Sequence, residues 1–214
     1  RFMKMLQIYN FKKINLTQEN EKKLINFIKY KKNKDKLLLV TDFGFGILSK
    51  KVISEIDKSK SPYTLNCHIN ALNINYNYYK KYKKFSYITF NKKEFLLNFT
   101  GDLSLDQKID IAKNILKKPF AITLGSSGSI ILNKKKKYYF PAVYKKIVDP
   151  IGCGDAYFAI TSILCKVTKD FDLINFLGNV YAGMHAMTIC NKSFVSQRSL
   201  FNTIKSILSW LRLK

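Results

Sequence analysis

The sequence predicts an α/β domain built on a mostly parallel sheet with helices on both faces. Three observations point to it. Short apolar runs recur along the chain and end in glycine- or asparagine-rich loops, as buried parallel strands do. Stretches with helical apolar spacing lie between those runs. No internal repeat and no Pro/Gly/Ser linker breaks the alternation, so residues 1–214 read as one domain long enough to bury a substantial core.

The first strand is Leu37–Thr41, ended by Asp42-Phe43-Gly44-Phe45-Gly46. The Lys/Asn-rich stretch Lys29–Lys36 before it reads as a loop. Ile47–Ile56 has helical spacing, and Tyr63–Asn66 is a second strand. Phe85–Phe90, β-branched and aromatic, is a third. Asn91–Leu97 and Leu105–Leu116 read as helices, the second closed by Pro119. Phe120–Leu124 is a fourth strand, broken by Gly125-Ser126-Ser127-Gly128. Ser129–Leu132 and Tyr138–Val143 form a hairpin around a Lys134–Lys137 turn. Ala156–Val167, Leu173–Ile189 and Leu200–Leu211 complete the chain as helices.

Composition narrows the function classes. The formal net charge is +24, yet of 38 basic residues only Arg1, Arg198 and Arg212 are arginine. Abundant Asn, Ile, Tyr and Phe accompany the lysines, a joint bias that suits an AT-rich genome. A nucleic-acid surface more often uses arginine for bidentate contacts, so the charge reads as solvated surface and no specific nucleic-acid partner is expected. No apolar run reaches the ~18–20 residues of a membrane helix, and no signal-peptide h-region is visible, so no membrane partner is expected. Cys67, Cys153, Cys165 and Cys190 show no CxxC pairing or His at metal-ligand spacing, which fits a reduced, cytoplasmic protein. His185, in an apolar helical stretch, reads as a core histidine. The chain opens on Arg1 rather than Met, as expected of a part of something longer.

The chemistry concentrates in Asp149-Pro150-Ile151-Gly152-Cys153-Gly154-Asp155-Ala156-Tyr157-Phe158. Gly152 and Gly154 let the backbone turn tightly, and the first N–H groups of the helix that follows lack intrahelical partners and attract negative charge. Asp155 in that first turn is placed to take a proton from a hydroxyl. Such an arrangement suits phosphoryl transfer, where catalysis is mostly positioning and charge stabilisation. A glycine turn that merely caps a helix is the plain alternative. Cys153 could also be a reactive thiol at a helix N-terminus, but no His or second Cys completes such a site.

The run resembles the second signature of ribokinase-type sugar kinases, the phosphofructokinase-B family, roughly Asp-Thr-x-Gly-Ala-Gly-Asp-Ala-Phe. Pro150 stands for Thr, Cys153 for Ala, and Ile160 for a small residue; Gly152, Gly154, Asp155 and Ala156 are intact. Thr123-Leu124-Gly125-Ser126-Ser127-Gly128 resembles the family's nucleotide loop. Asn91-Lys92-Lys93-Glu94 resembles its Asn-x-x-Glu motif, although an Asn helix cap reads the same way. Asn179, followed by Ala182 and Gly183, matches a late helix that lines the adenine pocket, the small residues admitting a flat ring. The motifs stand in family order, the first three each following a strand.

The resemblance implies a ribokinase-like three-layer α/β/α fold and ATP-dependent phosphoryl transfer to a sugar or sugar phosphate. Asp155 would be the base, with Gly152, Cys153 and Gly154 at the anion hole. Thr123, Gly125, Gly128, Asn91 and Asn179 would hold the nucleotide. Glu94 would order the water shell of Mg²⁺, and Asp149 would help hold K⁺. A homodimer is the expected assembly. The upstream half is similar to the heptose-phosphate kinase branch. There Asp-Tyr/Phe-Gly-x-Gly precedes an Asn-x-Gln-x-Asn-x-x-Asn run, matched by Asp42, Gly44, Asn66, Asn70 and Asn73, with His68 in place of Gln. Amide side chains there would recognise sugar hydroxyls or phosphate, although Asn is abundant throughout this chain. Asp42-Phe43-Gly44 is not the protein-kinase motif, because no His-Arg-Asp loop accompanies it. The family's upstream half, with a Gly-Gly sugar motif and a small β lid, is not visible before Leu37. The rival expectation is therefore a truncated or degenerate nucleotide-binding or assembly module without catalysis. A basic RNA-binding protein is a third reading, which no RNA motif supports.

Overall fold

The computed structural model describes residues 16–31, 36–59, 61–70, 73–74, 76–133, 136–144, 147–189 and 192–212. Six strands hydrogen-bond in chain order, β1 (Leu38–Asp42), β2 (Tyr63–Cys67), β3 (Tyr87–Asn91), β4 (Phe120–Thr123), β5 (Ser129–Leu132) and β6 (Lys137–Phe140). The helices are α1 (Gln18–Lys31), α2 (Lys50–Asp57), α3 (Lys92–Asn98), α4 (Leu105–Leu116), α5 (Cys153–Val167), α6 (Phe171–His185) and α7 (Gln197–Arg212). Every predicted strand and helix is present, with ends shifted by a few residues.

The chain divides into two compact units. One takes in the described residues of Gln7–Ile122, with Leu132–Lys136. β1 pairs parallel to β2, and β2 parallel to β3, as the apolar runs predict. Every residue of β2 is buried, which explains a strand without polar alternation. The register sets Asp42 opposite Cys67 and Asn66 opposite Thr89, so the strands' carboxyl ends lie level. Ligands of parallel α/β sheets bind beyond that end. On α2 the buried positions are Val52, Ile53 and Ile56, one helical stripe. Tyr79 stacks on Phe99 and meets Phe90 edge-on, and Phe95 packs against both phenylalanines, with ring centroids 4.8–6.2 Å apart.

α1, which packs on α2, was not expected. Lys29, Tyr30 and Lys31 form its last turn instead of the predicted loop, whose residues 32–35 lie outside the described set. Of its sequence, QENEKKLINFIKYK, only Ile28 is fully buried among the described residues, so lysine and asparagine mask the apolar stripe.

The other unit takes in the described residues of Thr123–Ile131 and Lys137–Lys214. α5 packs along α6, and a Cβ at Gly178 would lie 2.6 Å from the Tyr157 ring, so the glycine admits that ring. His185 is not a core residue. It ends α6 half-buried, its Nε2 3.2 Å from the Ile151 carbonyl. The turn residues Lys134 and Lys135 and also Cys190 lie outside the described residues.

Candidate active site

Within the second unit, the chain from Asp149 enters α5 through three linked contacts. The backbone N–H groups of Val148 and Asp149 both donate to the Ala186 carbonyl at the end of α6, at 2.9 and 3.0 Å. The buried Asp149 carboxylate accepts from the Ile151 N–H at 2.9 Å, folding an Asx turn. Gly152 then takes φ +79°, the left-handed region, and serves as the N-cap. No side chain caps this helix. By contrast α2, α3, α4 and α6 are capped by Ser49, Asn91, Ser104 and Asp170. The first N–H groups of α5 thus have no side-chain N-cap, and they form the positive end of the helix, with Asp155 in the same turn.

Asp155 lies in the first turn, partly exposed, and Gly154 is exposed with nothing within 4 Å of where a Cβ would stand. Cys153 is half-buried, its Sγ 3.8 Å from the Asp149 carbonyl. Burial first, then the charges of Asp149 and Asp155, push its thiol up to about 11. It is a protonated, alanine-like group at neutral pH, which fits the reading that set aside a reactive thiol.

Beside this turn lies a cavity of about 640 Å³ lined by Gly125, Ala142, Tyr144, Cys153, Asn179 and Ala182 among others, with largely apolar walls. Gly125 has φ +62° and open space around it, whereas Gly128 has φ +87° and would set a Cβ 2.1 Å from the Phe140 carbonyl oxygen. Gly125 thus faces the cavity, and Gly128 is required by the close approach of β6. Thr123 ends β4, partly exposed. Gly183 admits a ring as expected, but the ring is the chain's own: a Cβ there would lie 2.4 Å from Tyr144 Cδ2.

Behind the cavity wall is a polar network that motif reading missed. Asn175 Nδ2 donates to the carbonyls of Tyr138 and Ser129, at 2.8 and 3.3 Å. Asn175 Oδ1 accepts from the hydroxyls of Ser129 and Tyr157, at 2.5 and 2.8 Å. Asn179 Nδ2 donates to Ser129 Oγ at 2.7 Å and to the Asn175 carbonyl at 2.8 Å. The sequence signal was two asparagines four residues apart on an otherwise apolar helix.

The remaining predicted residues lie in the first unit. Asn91 and Glu94 form a reciprocal capping box on α3: Glu94 N–H donates to Asn91 Oδ1 and Asn91 N–H to Glu94 Oε2, both at 2.8 Å. Glu94 is 2% exposed, and its Oε1 lies 3.3 Å from His68 Nδ1. The plain reading of this motif, a helix cap, is therefore physically present.

The asparagine run serves its own loop. Asn73 Nδ2 donates to the carbonyls of Phe43 and His68, both at 2.9 Å, while its Oδ1 accepts from Asn70 N–H at 2.7 Å. Asn66 Nδ2 donates to Thr89, and its buried Oδ1 has no partner among the described residues. Buried Asp42 accepts from Gly44 N–H at 2.8 Å and Tyr82 hydroxyl at 2.7 Å, and pairs with Lys81 at 2.6 Å. Gly44, at φ +73°, leaves no room for a Cβ, which would meet Asn73 Nδ2 at 2.7 Å. The expectation that Asn73 offers its amide to a sugar is corrected here, because the loop's own backbone occupies both of its polar atoms. Among the described residues no three His, Cys, Asp or Glu side chains converge as metal ligands, and no helix is long and apolar enough to cross a membrane.

Comparison with known proteins sets this arrangement in a family. The bifunctional protein HldE of Campylobacter curvus is 30% identical over 164 residues, covering 74% of this chain and 33% of that protein. A nucleoside kinase of Methanocaldococcus jannaschii is 35% identical over 94 residues, covering 41% of this chain and 28% of that one. The chain thus spans about a third of the length of these curated relatives. Phosphofructokinase-2 of Escherichia coli, solved in complex with potassium, superposes with a TM-score of 0.70 at 14% identity, over 91% of this chain and 64% of that one. Ribokinase of Thermotoga maritima gives 0.62 at 18% identity, over 79% and 57%. The fold is thereby ribokinase-like. Residues 62–164, from the start of β2 through most of α5, match the family model of the pfkB family carbohydrate kinases, and the chain belongs to that family.

Proposed function

We propose that this chain carries the nucleotide and phosphoryl-transfer part of an ATP-dependent kinase that acts on a hydroxyl of a sugar or sugar phosphate. One observation carries the reading. The uncapped N-terminus of α5, with Asp155 in its first turn, adjoins a cavity that Cys153 and Asn179 also line. Charge-accepting backbone, a carboxylate and a purine-sized recess thus meet within one unit.

MgATP, when bound, supplies the phosphoryl group, with magnesium offsetting phosphate charge. The donor set fits that pairing: magnesium keeps several waters and takes ligands from phosphates, and Glu94, already hydrogen-bonded through both oxygens, suits an outer position. Asp155 accepts the proton of the acceptor hydroxyl at its carboxylate. The first-turn N–H groups of α5, reached over the small residues Gly152, Cys153 and Gly154, stabilise negative charge that grows during transfer. Apolar cavity walls hold the base and exclude water. Gly125 and Thr123 give the backbone close approach to the nucleotide, and Asn91 adds its exposed amide. Asp149 contributes a fixed negative charge beside the turn, where K⁺ would sit. Asp42, the last residue of β1, and Asn70, in the loop after β2, are the substrate-side candidates. The resemblance of the Asp42–Gly46 and Asn66–Asn73 segments to the heptose-phosphate kinase branch supports a heptose phosphate as the acceptor.

The test is a phosphoryl-transfer assay on sugars and heptose phosphates with wild type and Asp155→Asn, alongside calorimetry with ADP. The variant should lose turnover by about 100-fold or more while keeping its ADP affinity. Undiminished turnover in Asp155→Asn would refute the assignment. ADP binding with no turnover on any acceptor, even in the longest protein that contains this chain, would favour the non-catalytic module.

A further inference from the structure

Asn179 lines the cavity with an amide whose orientation is fixed from behind. Backbone carbonyls, which only accept, set that orientation. Asn175 Nδ2 lies 2.8 Å from the Tyr138 carbonyl and 3.3 Å from that of Ser129, so the end of Asn175 facing them must be its NH₂. Its Oδ1 then faces the Ser129 and Tyr157 hydroxyls and accepts from both. With the Ser129 proton directed away, Ser129 Oγ is left as an acceptor, and it takes an Asn179 Nδ2 proton at 2.7 Å. The other Nδ2 proton goes to the Asn175 carbonyl at 2.8 Å. A flipped Asn179 would set its Oδ1 against that carbonyl, oxygen on oxygen. Asn179 Oδ1 is left without a hydrogen-bond partner among the described residues, and it is not among the atoms sealed from solvent. The largely apolar cavity is thus lined by an amide with one acceptor to offer and no donor.

We infer that Asn179 Oδ1, held by Ser129 and Asn175, selects a nucleotide whose base presents an amino group at this wall over one that presents a carbonyl oxygen. The inference rests on the reading of the cavity as a nucleotide site and adds base selectivity to it. An adenine 6-amino group donates to Oδ1. The 6-oxo group of hypoxanthine sets acceptor against acceptor, in a recess with little water to separate them. Ser129, Tyr157 and Asn175 are positioning residues, since they act through Asn179.

ADP and IDP differ at this position of the base, so their binding to the full chain is the test, measured by calorimetry. Wild type should bind ADP about tenfold or more tightly than IDP. Asn179→Leu, of similar size, should bring the two affinities within about twofold, chiefly by weakening ADP. Ser129→Ala loosens the amide without removing it and should narrow the ratio while ADP still binds, which keeps the test open should the leucine variant not fold. Equal binding of ADP and IDP by wild type would overturn the inference and leave the nucleotide reading intact. A wild-type ratio retained in Asn179→Leu would do the same. Failure of wild type to bind either nucleotide would overturn both.

Discussion

Two glycines in one loop make opposite demands on a side chain. Gly125 sits at φ +62° in open space, and Gly128 sits at φ +87° and ψ −135° with the Phe140 carbonyl where its Cβ would go. Gly125→Ala therefore meets only the left-handed penalty, about 1–2 kcal/mol. Gly128→Ala adds a backbone collision to a conformation that excludes most side chains, and should cost roughly 3 kcal/mol or more. Urea unfolding monitored by circular dichroism would separate them, and equal losses would contradict this geometry. A family motif alone gives the two positions the same role; only the approach of β6 tells them apart. The same holds for Asn73, which resembles a recognition residue in sequence and is a loop brace in space.

At the level of elements, the capping pattern separates structural from functional termini. α3 begins with a complete capping box, so Asn91 has a stabilising role whatever else it does. Asn91→Ala should cost about 1 kcal/mol. Asn91→Ser keeps an N-cap oxygen and should restore most of that stability. If Asn91 also contacts MgATP, the serine variant is stable yet binds nucleotide more weakly. A serine variant with native affinity would leave Asn91 as a cap only. Element positions were legible because strand runs and helix stripes survive the lysine-rich composition: α4 was read from Leu105 to Leu116, as it stands. α1 was not legible because its stripe is thin and half-exposed. The start of α5 was placed three residues late because Gly152 and Gly154 read as loop, and glycine is what a tight entry to that helix requires. Of the candidate site, the turn at Gly152–Asp155 was visible as a motif. Tyr144 in the cavity wall and Ser129 behind it were not, because residues brought together from separate segments leave no local pattern.

At the scale of the molecule, the shifted thiols and tyrosine hydroxyls among the described residues all point one way on the alkaline side. Burial raises the thiol of Cys67, pushes Cys153 up to about 11 and Cys165 up to about 12, and raises the hydroxyls of Tyr63, Tyr79 and Tyr82. For Tyr63 the hydrogen bond to Asp57 adds to burial, and for Tyr82 the charge of Asp42 does. Each group keeps its proton in the folded chain at a pH where the unfolded chain has begun to release it. The unfolded state then binds fewer protons, and stability falls as pH rises. For the thiols the contribution is fully present below their ordinary value of 9.0 and is lost above it, through about 11 for Cys153 and about 12 for Cys165. Two effects have the opposite sign. Burial lowers Lys118, so the unfolded chain holds that proton longer, and the mutual repulsion behind a net charge of +24 relaxes as lysines deprotonate. Both grow mainly near the ordinary lysine value of 10.5, above the point where thiols begin to titrate. The urea midpoint should therefore fall between about pH 9 and pH 10, where the unfolded chain's thiols titrate while Cys153 and Cys165 keep their protons in the folded chain. Cys153→Ala together with Cys165→Ala should flatten that fall, since alanine removes the titration and keeps a small apolar side chain at both positions. A midpoint that holds or rises across the window would mean that lysine repulsion, rather than buried thiols, governs how this chain responds to alkali.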